Sequence, residues 1–182
     1  MKIFDFTIIA SGLDPMADDF EEGFFVHGCG DSTISFQKGA IILEFSREAK
    51  SFAHALVSAI GNVHSAGAKV EHVEPDYFVS LAEIAKRTGL SRSALTLFAK
   101  GERGTAFPAP VARITTENPL WDWVSVAQWM YRKRTVSREV VVEAKLVKQA
   151  NLALHDLSGF ERSPFAKHIR AKIDAEEGLA VA

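Results

Sequence analysis

The sequence predicts an α+β protein in three parts: a small sheet-and-helix domain over residues 1–76, a mainly helical module with two short β-type runs over 77–134, and C-terminal helices over 135–182. Three observations predict it. In the first part the apolar pattern changes period in the order strand, helix, strand, strand, helix, strand. In the second, a tight Thr88-Gly89-Leu90 bend separates two helical patterns, and proline-bearing runs follow. Charge then changes sign along the chain: residues 1–80 carry 5 Lys and Arg against 12 Asp and Glu, residues 81–134 carry 9 against 4, and residues 135–182 carry 7 of each. An acidic front joined to a basic middle suggests two parts with different partners.

Composition narrows the function classes. With 182 residues, 47% hydrophobic and 24% charged, the chain can bury a core, so wholesale disorder is excluded. No apolar run has the length of a membrane span, and MKIFDFTIIASG lacks a signal peptide's basic start and long apolar stretch. Cys29, alone in the sequence, forms no internal disulfide, which makes a reducing, cytoplasmic setting the default expectation.

Residues 2–10, KIFDFTIIA, alternate with apolar residues on both faces, as in an interior strand. Ser11-Gly12 and Asp14-Pro15 break it. Residues 17–27 read as a short helix with Phe20, Phe24 and His27 at helical spacing and acidic residues in its first turn, where the helix dipole favours them. Gly28-Cys29-Gly30-Asp31 stops it. STISFQ and AIILEF, separated by Lys38-Gly39, form a hairpin. Residues 48–66 make a helix with the stripe Phe52, Leu56, Ile60 and Val63, ended by Ala66-Gly67, and AKVEHVEP is the last strand. This order is the ferredoxin-like βαββαβ arrangement, with two helices on one face of a four-stranded antiparallel sheet. The uncovered face is expected to meet the second domain or a second copy.

Little chemistry is expected in this part. His27-x-Cys29, His54 and His64 lack a fourth ligand at sensible spacing for structural zinc. Gly28-x-Gly30 follows a helix rather than a strand and reads as a helix stop, not a dinucleotide loop. No base is marked for Cys29, so it reads as a small buried apolar residue. No metal, cofactor or catalysis is expected.

Residues 80–101 carry the strongest signal. Ser80 and Glu83 have capping-box spacing, Leu81, Ile84 and Ala85 give an apolar face, and Gly89 can take the left-handed conformation that ends the first helix. Ser91 caps the second helix. With Ala94, Leu95 and Phe98 turned inward, Arg92, Ser93, Thr96, Leu97 and Lys100 are left outside. In a helix-turn-helix such residues meet base edges and phosphates in the major groove. Leu97 can touch a thymine methyl or belong to the core. Residues 105–123 hold two β-type runs, FPAPVARI and PLWDW, read as a wing hairpin whose Pro108 and Pro110 suit an edge. Arg103 and Arg113 are placed to touch phosphates. Residues 124–134 form a helix with Val126, Trp129 and Met130 inward, ending in Arg132-Lys133-Arg134, which suits a helix C-terminus and can grip DNA.

The run from Phe78 to Arg134 resembles the winged helix-turn-helix of the MerR superfamily, in its small excisionase and AlpA-like branch. The residues carrying the resemblance are Leu81-Ala82-Glu83-Ile84-Ala85, Gly89-Leu90-Ser91-Arg92, Phe107-Pro108-Ala109-Pro110-Val111, Trp121 and Val126-Ala127-Gln128-Trp129. They span about a third of the chain. The resemblance implies sequence-specific binding of double-stranded DNA, with the second helix in the major groove and the wing beside it, and a role in transcription or site-specific recombination. The chain departs from a MerR activator in lacking a long coiled-coil helix and a cysteine cluster, and from a bare excisionase in its extra N-terminal domain.

The tail predicts a helix over 137–157, a Ser158-Gly159 break and a helix over 163–177 with the stripe Phe165, Ile169 and Ile173. These helices complete the core, support a homodimer, or both. The expected function is a DNA-binding regulator or recombination accessory factor. The alternative is an antitoxin or adaptor whose acidic N-terminal domain binds a basic partner while the DNA module autoregulates.

Overall fold

The computed structural model describes residues 1–155 and is α+β, with a four-stranded antiparallel sheet, a two-stranded sheet and six α-helices among those residues. The predicted helix over 163–177, the Ser158-Gly159 break and the end of the 137–157 helix lie outside them. Contacts divide the described residues into two compact units, Met1–Pro75 with Gln149 to His155, and Asp76–Lys148.

In the first unit, β1 (Lys2–Ser11) lies between β3 (Ala40–Ala49) and β4 (Lys69–Glu74), and β2 (Ser32–Gln37) is the outer neighbour of β3. Every neighbouring pair is antiparallel. Strand alternation sends Phe4, Phe6, Ile8 and Ala10 of β1, with Ile41, Leu43 and Phe45 of β3, to one buried face. On that face Phe52 of α2 (Phe52–Ser65) meets the rings of Phe4 and Phe6 edge-on. The opposite face exposes Asp5, Glu44, Ser46 and Glu48.

Two predicted boundaries change. The helix expected from Glu48 begins at Phe52, because Arg47 and Ala49 continue the inward alternation of β3 and Ser51 supplies the cap, accepting from the His54 N–H. The helix expected over 17–27 is α1 (Phe20–Phe24), followed by a π-helical stretch over Phe25–Cys29. That stretch ends through Gly28, whose left-handed φ of 85° glycine adopts without steric cost.

Arg47 locks this corner. All five of its N–H donors are used: Nε and Nη2 on Asp31 at 2.7 and 2.8 Å, Nη2 also on the Gly28 carbonyl at 2.7 Å, and Nη1 on Ser58 and Asn62 at 3.0 and 2.7 Å. Its guanidinium also lies 4.8 Å from the Phe45 ring centre. Beside it Cys29 is 2% exposed, and burial pushes its thiol up to about 11, against the pull of Arg47 and with Asp31 adding to the rise. A thiol held protonated is a poor nucleophile.

In the second unit, β5 (Phe78–Val79) precedes α3 (Leu81–Thr88) and α4 (Arg92–Ala99), and β6 (Trp121–Asp122) precedes α5 (Trp123–Arg132). Their core is Val79, Ile84, Leu95, Trp121, Val126 and Met130 with their neighbours. α6 (Arg138–His155) places Val141 and Ala144 in that core. Its Asn151 belongs to the first unit, where the amide accepts from the Val73 N–H and donates to the Val73 carbonyl at 2.7 and 2.9 Å, satisfying both backbone groups of one residue on outer strand β4. No helix among the described residues is long and apolar enough to cross a membrane.

Candidate nucleic-acid interface

The site is built on two eight-residue helices joined by Gly89, Leu90 and Ser91. At the start of α3 the Glu83 N–H donates to Ser80 Oγ, while the Ser80 N–H and Oγ each donate to Glu83 Oε2 at 2.7 Å. Burial raises the Glu83 carboxyl, but these bonds and the Arg87 charge outweigh it, so the group titrates below its ordinary 4.5. A carboxyl with a depressed folded pKa stabilises the fold above its unfolded pKa, and that contribution is lost as pH falls through the folded value. Ser80→Ala is expected to cost about 1 kcal/mol, the usual loss of an N-cap. In urea titrations at pH 7 and at pH 3, the deficit should shrink at the lower pH.

Gly89, with φ of 71°, ends α3 and donates its N–H to the Ala85 carbonyl. Ser91 accepts from the Ala94 N–H and starts α4. Leu95 is fully buried and anchors α4, with Ala94 and Phe98 half-buried on the same side. Ser91, Arg92, Ser93 and Lys100 are exposed, and Leu97 is 38% exposed, so it lies outside the fully buried core. Thr96 is half-buried and its hydroxyl donates to the Arg92 carbonyl at 2.9 Å, which leaves it as an acceptor toward any ligand. Arg92 lines a cavity of about 240 Å³ with Ser80, Ala82, Glu117 and Asn118. Glu117 and Asn118 were not singled out in the sequence; they fall in the loop whose partner the periodicity did not reveal.

The wing hairpin is corrected. FPAPVARI and PLWDW meet at one bridge, Ala112 with Leu120, and Trp121-Asp122 pairs instead with Phe78-Val79. Pro108 and Pro110 have no N–H to give to a ladder. Two indole donors hold the segment in place of a ladder: Trp121 Nε1 on the Pro108 carbonyl and Trp129 Nε1 on the Thr105 carbonyl, both at 3.0 Å. Phe107 then packs among Phe98, Trp121 and Trp129, with ring centres 6.0, 6.5 and 5.2 Å away.

That aromatic cluster brings two of the candidate cations together. Arg103 lies over the Phe98 ring at 5.3 Å and Lys133 over the Trp129 ring at 5.5 Å, and the two rings are 5.1 Å apart. The Arg103 N–H also bonds the Leu97 carbonyl, folding the loop onto the end of α4. Arg113, Arg132 and Arg134 are exposed, and no side-chain bond among the described residues ties them to α4. Arg113 and Arg134 both have left-handed backbone, and Arg134 closes α5 by donating to the Tyr131 carbonyl. Arg87, missed in the sequence, lies 5.2 Å over the Trp123 ring; its place in the last turn of α3 was the available signal. Compared with protein-family models, curated proteins and solved structures, the chain matches none.

Proposed function

We propose that the second unit is a winged helix-turn-helix that binds double-stranded DNA sequence-specifically, carried beside a ferredoxin-like unit in a regulator of transcription or recombination. The supporting observation is the outer side of α4. It offers Arg92, Ser93, Leu97 and Lys100 to solvent, holds no acidic residue, and is backed by a fully buried Leu95. Arg92 and Ser93 lie at the N-terminal end, the part of a recognition helix that reaches base edges. Arg103 and Lys133 supply further charge for the phosphates, and the loop around Arg113 takes the part of the wing.

The test is binding of the full chain to genomic DNA fragments, followed by fluorescence anisotropy on an enriched fragment between about 50 and 200 mM salt, the range over which phosphate contacts show their dependence. Arg92→Ala with Lys100→Ala should weaken binding by about 1–3 kcal/mol for each lost base contact and flatten the salt slope by about 1 for each lost phosphate contact, with the circular dichroism spectrum unchanged. Wild-type protein that enriches no fragment, or a folded double variant that binds as the wild type does, overturns the reading.

A further inference from the structure

The outer edge of the first unit's sheet, strand β2, is unpaired among the described residues. The Ser46 N–H donates to the Asp31 carbonyl at 3.0 Å, which sets the phase of the β2–β3 ladder. Residues 31, 33, 35 and 37 therefore bond toward β3, and Ser32, Ile34 and Phe36 turn their N–H and C=O groups outward. β2 is STISFQ, with no charge and no proline, so it lacks the usual devices that keep another strand off an edge. A groove of about 590 Å³ lies along it, lined by Glu21, Glu22, Phe25, Cys29, Thr33 and Ile34 among others. Phe25 in its lining is 70% exposed, and Phe36 is 49% exposed. The Phe25 ring rests on Gly30, where an added Cβ would come within 3.0 Å of it.

Charge decides what fits. A second copy pairing β2 with β2 across a two-fold axis would bring together two units whose first 80 residues each hold 12 acidic against 5 basic side chains. The groove offers Glu21 and Glu22 and no cation, and the other face of the sheet exposes Glu44, opposite Thr33 of β2, and Glu48. We propose that this edge binds an extended segment of a partner protein in which Lys or Arg alternates with apolar side chains. The segment's backbone extends the sheet beyond β2, its apolar side chains pack on Phe25 and Ile34, and its cations, which strand alternation turns to the other face, meet the acidic side that carries Glu44 and Glu48. This surface is independent of the DNA interface, and either can fail without the other.

The probe is the capped peptide KVKVKVK added to the isotope-labelled full chain, with amide shifts recorded. Shifts centred on Ser32, Ile34 and Phe36 are expected. EVEVEVE should not bind, and Glu44→Lys with Glu48→Lys, at two exposed positions of the face the lysines meet, should weaken KVKVKVK about tenfold, the scale of two exposed ion pairs. Two further peptides, N-methylated on either the Val or the Lys amides, test edge pairing directly: one should lose binding and the other keep it. Equal effects of the two methylations, equal binding of EVEVEVE, shifts centred on the opposite sheet face, or no binding of KVKVKVK each overturn the proposal.

Discussion

Arg47→Met should lower the stability of the protein by about 2–4 kcal/mol, the scale of losing several charge-assisted hydrogen bonds to part-buried acceptors. Arg47 is 7% exposed, and each of its five donors has an acceptor at 3.0 Å or less. Methionine fills much of the volume but leaves Asp31 without its cation and the Gly28 carbonyl, Ser58 and Asn62 without their donor. Arg47→Lys should recover only part of the loss, because a single ammonium has three donors and no planar fork for the Asp31 carboxylate. Urea titration followed by far-ultraviolet circular dichroism measures the deficit. A second readout is independent of it: Cys29, alone in the sequence and buried beside Arg47, should react slowly with a thiol reagent in the wild type and rapidly in Arg47→Met. A variant with an unchanged midpoint and an unreactive thiol would show that this network contributes nothing.

The same residue marks where the sequence stopped being readable. β1, β2 and α2 announce themselves through repeating apolar positions, and the Ser80–Glu83 spacing signals a capping box that forms as a reciprocal pair of bonds. Arg47 has no such pattern around it. Its acceptors lie 11 to 19 residues away, in a loop, a helix stop and two successive turns of α2, so only the folded chain brings them together. A charged side chain in SREA looks like the end of a strand; here it is an inward position of β3.

The second unit shows a similar limit. The side of α4 that faces out was readable from helical spacing, and Leu95, Ala94 and Phe98 do turn inward. The wing was not, because two-residue strands have no period to detect and Trp121-Asp122 had two candidate partners. Trp129 was read as an inward residue, and its burial agrees with that. What spacing could not show is that the indole N–H groups of Trp121 and Trp129 reach backbone carbonyls more than ten residues away.

Trp129→Ala should therefore cost about 3–5 kcal/mol, as large aromatic truncations in a core do. Trp129 is 3% exposed, touches Phe98 and Phe107, lies beneath Lys133 and bonds the Thr105 carbonyl. Trp129→Phe separates these roles. It keeps a ring for Phe98 and Phe107 but removes the indole donor, for an expected cost of about 1–2 kcal/mol from one hydrogen bond and a smaller volume. Amide hydrogen exchange should then quicken over residues 105–107 while Leu95 in α4 stays protected. That pattern would mean the aromatic cluster holds the loop and its neighbouring cations in place without being needed to form α4. If instead Trp129→Phe exchanges as the wild type does along 105–107, the loop is held by Trp121 and the Ala112–Leu120 bridge, and the placement of Arg103 and Lys133 does not depend on the indole donor.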